Sequence, residues 1–372
     1  MSVKYITHDN LRTLAGELLA AGVGVIAPAR PARAPVEPVP GQPSGPAAAV
    51  DYRWLDRVED LALGEGLPRR SLKEFFLPTA EELLSFRQVK GHVEVTERPP
   101  TCKPRVILGA RPCDAAALPV VDRVMNWDYH DELWMGRRQA ALVIALACPG
   151  VDRSCFCTAV GLSPATPQGS DVLLTPVEGG YQAVASTPAG EDFLTQHRAR
   201  LQELPAGASG QAEQFVLRAQ ELVAKNLTLD AARVQGWLEA NFEHPFWNTV
   251  ALRCHGCSAC AFVCPTGHCF DLVDEVEGIG GGSRRRNWDA CQPALFTLHG
   301  SGHNPRPQQN ARFRQRVMHK FMIYPKKFDK ILCTGCGRCI RVCPGSMDLL
   351  DLLSEVNRLA AGSPASSDRG AA

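Results

Sequence analysis

A doubled cysteine run constrains this chain more than any other feature. Cys254, Cys257, Cys260 and Cys264, followed by Pro265, recur as Cys333, Cys336, Cys339 and Cys343, followed by Pro344. Both runs read C-x2-C-x2-C-x3-C-P. Three thiolates spaced by two residues wrap three iron corners of one cubane, while the fourth faces away and reaches a neighbouring one. The spacing therefore assigns Cys254, Cys257, Cys260 and Cys343 to one [4Fe–4S] cluster, and Cys333, Cys336, Cys339 and Cys264 to a second. Gly256, Gly335 and Gly337 permit the tight turns that aim amide N–H groups at sulfur. Structural zinc is the plainer alternative, but it usually takes two C-x2-C pairs across a longer spacer.

Fifteen cysteines in 372 residues pose a question of compartment. A disulfide framework suits a short secreted chain, whereas these cysteines sit at metal-ligand spacing in a long one, which points to a reducing compartment. The first thirty residues carry Asp9, Arg12 and Glu17 within an amphipathic stretch, unlike a signal peptide. The longest apolar run, Ala140 to Cys148, falls far short of the ~18 residues that a membrane span needs. The expectation is a cytoplasmic protein without membrane insertion. A formal net charge of +1 gives no bulk argument for nucleic acid or anionic lipid.

Along the chain, a first helix is expected to be capped by Asp9 or Asn10, to run through about Ala21 and to stop at Gly22. Seven prolines between Pro28 and Ala48 mark a mobile insertion at 28–48. VILGARPCDAAAL from Val106 and ALVIALACPG from Ala141 each read as a buried strand running into a turn with a cysteine. A hairpin is expected around Gly179-Gly180, and helices near 191–203, 210–225 and 229–241. The expected fold class is α+β: an N-terminal α/β domain over 1–245, then an expanded, mainly helical two-cluster ferredoxin-like domain over 246–353 with a long insert at 265–332. A helix end and disordered tail close the chain at 354–372. Gly278–Gly282 follows an acidic stretch and reads as a flexible turn.

Cys113, Cys148, Cys155 and Cys157 form a third group near strand ends, read as ligands of a third [4Fe–4S] cluster, with a zinc site or buried free thiols as alternatives. Cys102 reads as an ordinary thiol, and Cys291 as either core packing or a contact beside a cluster. His255 and His303 read as structural hydrogen-bonders, since cysteine saturates both runs. Between Gly280 and Lys330 there are eleven Lys or Arg against Asp289 and Asp329. That patch is read as cluster support or docking onto partner proteins, ahead of nucleic acid. No G-x-G-x-x-G opening a βαβ unit, P-loop or H-E-x-x-H occurs, so no catalytic residue is assigned.

Taken in order, LPTAEELLSF at Leu77, GARPCDAAAL at Gly109, ACPGVDRSCFC at Ala147, HPFW at His244, RNWDAC at Arg286, GHNPRP at Gly302 and CTGCGRCIRVCP at Cys333 resemble one family. It is the beta, iron–sulfur electron-transfer subunits of cytoplasmic NAD(P)-linked [NiFe] hydrogenases, or sulfhydrogenases. The equivalent electron-transfer subunits of anaerobic sulfite reductase and of heterodisulfide-reductase-linked flavin oxidoreductases are similar over the same span, roughly 70 to 350. The resemblance implies an electron wire between two kinds of partner: a flavin/NAD(P)-binding subunit, which carries the flavin, and the hydrogenase small and large subunits. A self-contained flavin enzyme and a nucleic-acid-binding cluster protein are the competing classes. The sequence departs from the family after the first run, where C-P-T-C-x-C is common: Gly267 replaces the middle cysteine while Cys269 remains. That leaves Cys269 without an assigned ligand role.

Overall fold

The protein is described from a computed structural model, which describes residues 3–30, 50–98, 102–148 and 152–362. The Pro-rich stretch from 31 onward and the tail beyond 362 lie outside the described residues. The chain divides into two compact units that interleave in sequence. Unit one comprises Met1–Val151, Ser163–Glu221 and Cys264–Trp288; unit two comprises Asp152–Leu162, Leu222–Val263 and Asp289–Ala372. These units follow contacts and differ from the single cut at 245/246 that the sequence suggests.

Unit one is built on a seven-stranded sheet. Its strands are β1 (Val3–Thr7), β2 (Gly24–Ala29), β3 (Asp51–Trp54), then, after β4 (Ala80–Val89) and β5 (His92–Glu97), β6 (Arg105–Ala110), β7 (Ala141–Leu146), β8 (Val172–Val177) and β9 (Gly180–Ala185). The order is β1-β9-β8-β7-β6-β2-β3, with β2, β6, β7 and β8 parallel. All six residues of β6 are buried, as an apolar run in the middle of a parallel sheet requires. Alternation divides them between two cores. Val106, Leu108, Ile144 and Leu146 pack with α1 (His8–Ala20), whereas Ile107, Val143 and Ala145 face the opposite core, where the helices after β6 pack. Those helices are α2 (Pro112–Ala115), α3 (Ala117–Met125) and α4 (Glu132–Gln139); α5 (Pro188–Gln196) and α6 (Ala208–Ala224) follow β9.

The β8–β9 hairpin turns at Glu178 and Gly179, as the sequence indicates, with Val177 paired to Gly180. The first helix starts earlier than expected: Thr7, not Asp9 or Asn10, caps it by accepting from the Asn10 amide at 3.1 Å. Pro28 is not part of a loop but lies on β2 opposite Tyr52, and its carbonyl accepts from the Ala62 amide at 2.8 Å. The described part of the Pro-rich stretch thus begins as a strand.

A second sheet, β10-β11-β4-β5, uses β10 (Phe270–Val276) and β11 (Gly281–Trp288) from between the cysteine runs. Gly281 and Gly282 are therefore strand residues, which corrects the flexible-turn reading of Gly278–Gly282 to a tight turn before them. A Cβ on Gly282 would meet the Glu275 carbonyl oxygen at 2.4 Å, so the close strand approach requires glycine here. Arg286 on β11 is buried and reaches Glu81 of β4 at 2.6 Å and Asp131, the cap of α4; Arg137 also pairs with Glu81. Arg284 holds Asp274 at 2.7 Å, and Arg285 holds Glu275 at 3.6 Å. Three members of the basic insert are thus consumed by carboxylates within unit one, so the insert is not one continuous cationic patch.

Unit two is helical: α7 (Ala231–Ala240), α8 (Phe246–Val250), α9 (Ala259–Phe262), α10 (Gln309–Met318), a π-helical turn at His319–Ile323, α11 (Tyr324–Phe328), α12 (Arg338–Arg341) and α13 (Leu349–Ala360). Its core contains Trp247, Val317, Phe321, Leu353 and Val356, together with Phe156 from the short segment 152–162. Among the described residues no helix is long and apolar enough to cross a membrane.

Candidate metal centre

The two cysteine runs share one backbone. Gly256 in the first and Gly335 in the second occupy the left-handed region, with φ of 69° and 64°. In each loop the glycine N–H approaches the sulfur two residues earlier: Gly335 N lies 3.4 Å from Cys333 Sγ, and the Gly256 N–H bonds Cys254. The residue after the second cysteine is also left-handed, Ser258 at φ 65° and Gly337 at 71°, and a single helical turn follows, α9 or α12. The repeated spacing therefore folds into a repeated geometry whose amides point at sulfur.

Around the first run the structure brings together four predicted ligands. Cys254, Cys257, Cys260 and Cys343 line one cavity in unit two, although the whole insert separates Cys343 from the other three in the chain; Cys339, assigned by spacing to the second cluster, lines it too. Sulfur-directed donors surround it: Gln309 Nε2 lies 3.3 Å from Cys254 Sγ, Arg316 Nε 3.2 Å from Cys260 Sγ, and the Met347 amide 3.3 Å from Cys343 Sγ. Burial pushes the Cys254 thiol up from its ordinary value; the Gly256 and Gln309 hydrogen bonds oppose this, and the neighbouring Cys260 and Cys343 sulfurs add to it. Several thiols lining one cavity with N–H donors aimed at sulfur is the donor set of a thiolate-ligated cluster. The side chains ring the cavity without converging on a point. Among the described residues no group of three or more His, Cys, Asp or Glu could hold a single metal ion.

Cys333, Cys336 and Cys339 lie on the second loop of unit two, and Cys264, buried, accompanies Thr266 at 3.3 Å in unit one. Of the third group, Cys113 opens α2 after β6 and Cys148 follows β7, both in unit one, at strand ends as expected. Cys155 and Cys157 are buried in unit two and sit against the second loop. Phe156 N donates to the Gly335 carbonyl at 2.8 Å, Asn226 donates to the carbonyls of Asp152 and Cys155, and Arg341 pairs with Asp152 at 2.8 Å. Any Cβ on Gly335 would lie 2.5 Å from the Cys157 nitrogen. The sequence grouped Cys155 and Cys157 with Cys113 and Cys148; it did not reveal this attachment to the second run.

Cys291 is resolved in favour of a place beside the first loop. Burial raises its thiol, the Arg316 charge lowers it and Cys260 raises it further, so all three groups share one neighbourhood. Cys102 lies against α4, its sulfur 2.9 Å from where a Cβ on Gly136 would stand. Sequence reading missed Gln309, Gln292 and Ser258. Superposing the two runs would have flagged Ser258, because its counterpart is Gly337.

A sequence model for a 4Fe–4S dicluster domain matches residues 253–347, which spans both loops and the insert between them. The fold and site thus define a chain with an iron–sulfur dicluster domain. The chain is also similar to sulfhydrogenase 2 subunit beta of Pyrococcus furiosus, with 26% identity over 307 residues, 82% of this chain and 89% of that protein. These two findings show the likeness to beta-type iron–sulfur hydrogenase subunits that the ordered motifs indicate.

Proposed function

We propose that this chain is the iron–sulfur electron-transfer subunit of a cytoplasmic [NiFe] hydrogenase. In that role it relays electrons between a flavin/NAD(P)-binding subunit on one side and the hydrogenase small and large subunits on the other. The observation that carries the reading is the cavity ringed by Cys254, Cys257, Cys260 and Cys343 and fed by sulfur-directed N–H groups. The similarity to a sulfhydrogenase beta subunit, extending over most of both chains, supports the choice of complex. When bound, [4Fe–4S] clusters supply one-electron steps. The protein's own residues supply thiolate ligation, hydrogen bonds to sulfur and exclusion of water, which together tune potential.

Within this reading Cys333, Cys336, Cys339 and Cys264 hold the second cluster. Cys113, Cys148, Cys155 and Cys157 hold a third, an assignment made on their grouping in the sequence. Iron counted on the anaerobically loaded chain tests the third: about twelve atoms per chain is expected, and about eight overturns it.

The test of the whole reading is anaerobic purification from the source cell, with co-purifying subunits identified by mass spectrometry and iron and nickel counted on the same sample. Nickel and a [NiFe] large subunit are expected. A sirohaem subunit, or heterodisulfide-reductase-type subunits without nickel, would overturn the hydrogenase assignment and leave the electron-wire role standing.

A further inference from the structure

Two side chains around the first loop are placed for more than packing. Arg316 is buried on α10, with Nε 3.2 Å from Cys260 Sγ and Nη2 3.0 Å from the Cys260 carbonyl oxygen, so its guanidinium is clamped in plane against that ligand. It stands in a column of buried cations one turn apart: Arg312, bonded to the carbonyls of Gln292, Arg306 and Pro307, and Lys320, bonded to the Leu332 carbonyl at 2.8 Å. Ser258 is a serine held at φ 65°, where the second loop uses Gly337. Its side chain is buried, lines the same cavity as Arg316, and its hydroxyl has no hydrogen-bond partner. The left-handed backbone belongs to the loop, since Gly337 shares it; the unsatisfied buried hydroxyl is costly, and an acceptor within the cavity accounts for it.

We propose that Arg316 and Ser258 set the reduction potential of the cluster held by Cys254, Cys257, Cys260 and Cys343, by donating N–H and O–H hydrogen bonds to its sulfurs. The inference rests on the dicluster reading above and names the residues that tune one of the two clusters. Reduction adds one negative charge to an already anionic, buried group. A guanidinium and a hydroxyl donor fixed beside it favour the reduced form, which raises its potential, while the second loop has no side chain at the position equivalent to Ser258.

The experiment is a redox titration followed by electron paramagnetic resonance on the full chain, anaerobically loaded with iron and sulfide, with iron counted in every sample. In Arg316→Gln the reduced form of one cluster is expected to be about tenfold less favoured, a midpoint about 59 mV lower for one electron. Arg316→Lys, which keeps the charge and loses the fork, is expected to fall between. Ser258→Gly is expected to lower the same midpoint by about threefold in the equilibrium while the protein melts at a higher temperature, because glycine relieves the left-handed strain. The midpoints of the other clusters are expected to stay in place. Unchanged midpoints in Ser258→Gly, or in both Arg316 variants, with iron intact, overturn the proposal, as does loss of iron in Ser258→Gly, whose backbone conformation glycine adopts freely. A wild-type chain that takes up no iron defeats the dicluster reading itself.

Discussion

The two cysteine loops have the same spacing and the same backbone, yet their surroundings differ. The first is met by polar side chains from α10 and the segment before it, Gln309, Gln292 and Arg316. The second is met by backbone, the 152–162 segment, which lies so close to Gly335 and Gly337 that no Cβ fits. Each loop also buries an unpartnered hydroxyl, at Ser258 in the first and at Thr334 in the second. A repeated motif therefore sets the same loop backbone twice, while what packs on each copy determines how rigidly it is held and what charge it feels. Side chains can be exchanged without moving the loop, and a backbone wall cannot.

The largest expected effect breaks the comparison altogether. Cys336→Ser removes a ligand of the second loop, and iron is expected to fall by about four atoms per chain, with inter-subunit electron flow abolished. Unchanged turnover with that variant would refute the wire model, and Cys257→Ser should do the same to the first loop. Next comes burial of charge in unit one. Arg286→Met leaves Glu81 and Asp131 with one cation fewer in a buried network, and a loss of about 3–5 kcal/mol in chemical denaturation is expected.

Glycine substitutions sharpen the contrast between the loops. Gly335→Ala drives a methyl into the Phe156–Cys157 backbone and also requires a left-handed alanine. We expect at least about 3 kcal/mol of destabilisation, or failure to load iron, since strain and overlap add. Gln309→Leu removes the hydrogen bond to Cys254 and the two that its Oε1 accepts from the buried Arg312 guanidinium, and about 1.5–3 kcal/mol is expected in chemical denaturation. Gly256→Ala meets the tip of Gln309 at 2.8 Å and the Gln292 carbonyl at 3.3 Å, a side chain and a looser backbone contact, so a cost near the left-handed penalty of about 1–2 kcal/mol is expected, below that of Gly335→Ala. Equal melting temperatures for the two glycine variants would show that the segment 152–162 yields as easily as a side chain.

Much of the site was legible because cluster chemistry writes itself into spacing. The four cysteines that the spacing assigns to the first cluster, including the distant Cys343, line one cavity, together with Cys339. The buried strands β6 and β7 were legible because a parallel strand covered on both faces is an unbroken apolar run. The second sheet was not. Strand β5 alternates Val93 and Val95 with polar residues yet is exposed along its whole length, and β10 and β11 are rich in charge, so no apolar run marks this sheet as β6 and β7 are marked. Their pairing depends on Arg286 finding Glu81, a contact between residues 205 positions apart that no local pattern encodes. The same limit hid the attachment of Phe156 to Gly335.

The sequence by itself determined which thiols can act together, where the backbone must turn left-handed and which strands are buried, because spacing, glycine and apolar runs are local properties. Tertiary structure alone decided that the insert between the runs splits, its hairpin completing a sheet in unit one and its helix α10 bringing Arg316 and Gln309 to the first loop in unit two. The physical reason is that burying a cation or closing a sheet depends on partners far away in the chain. A run of basic residues reads the same whether each one meets a carboxylate, a carbonyl or a cysteine sulfur.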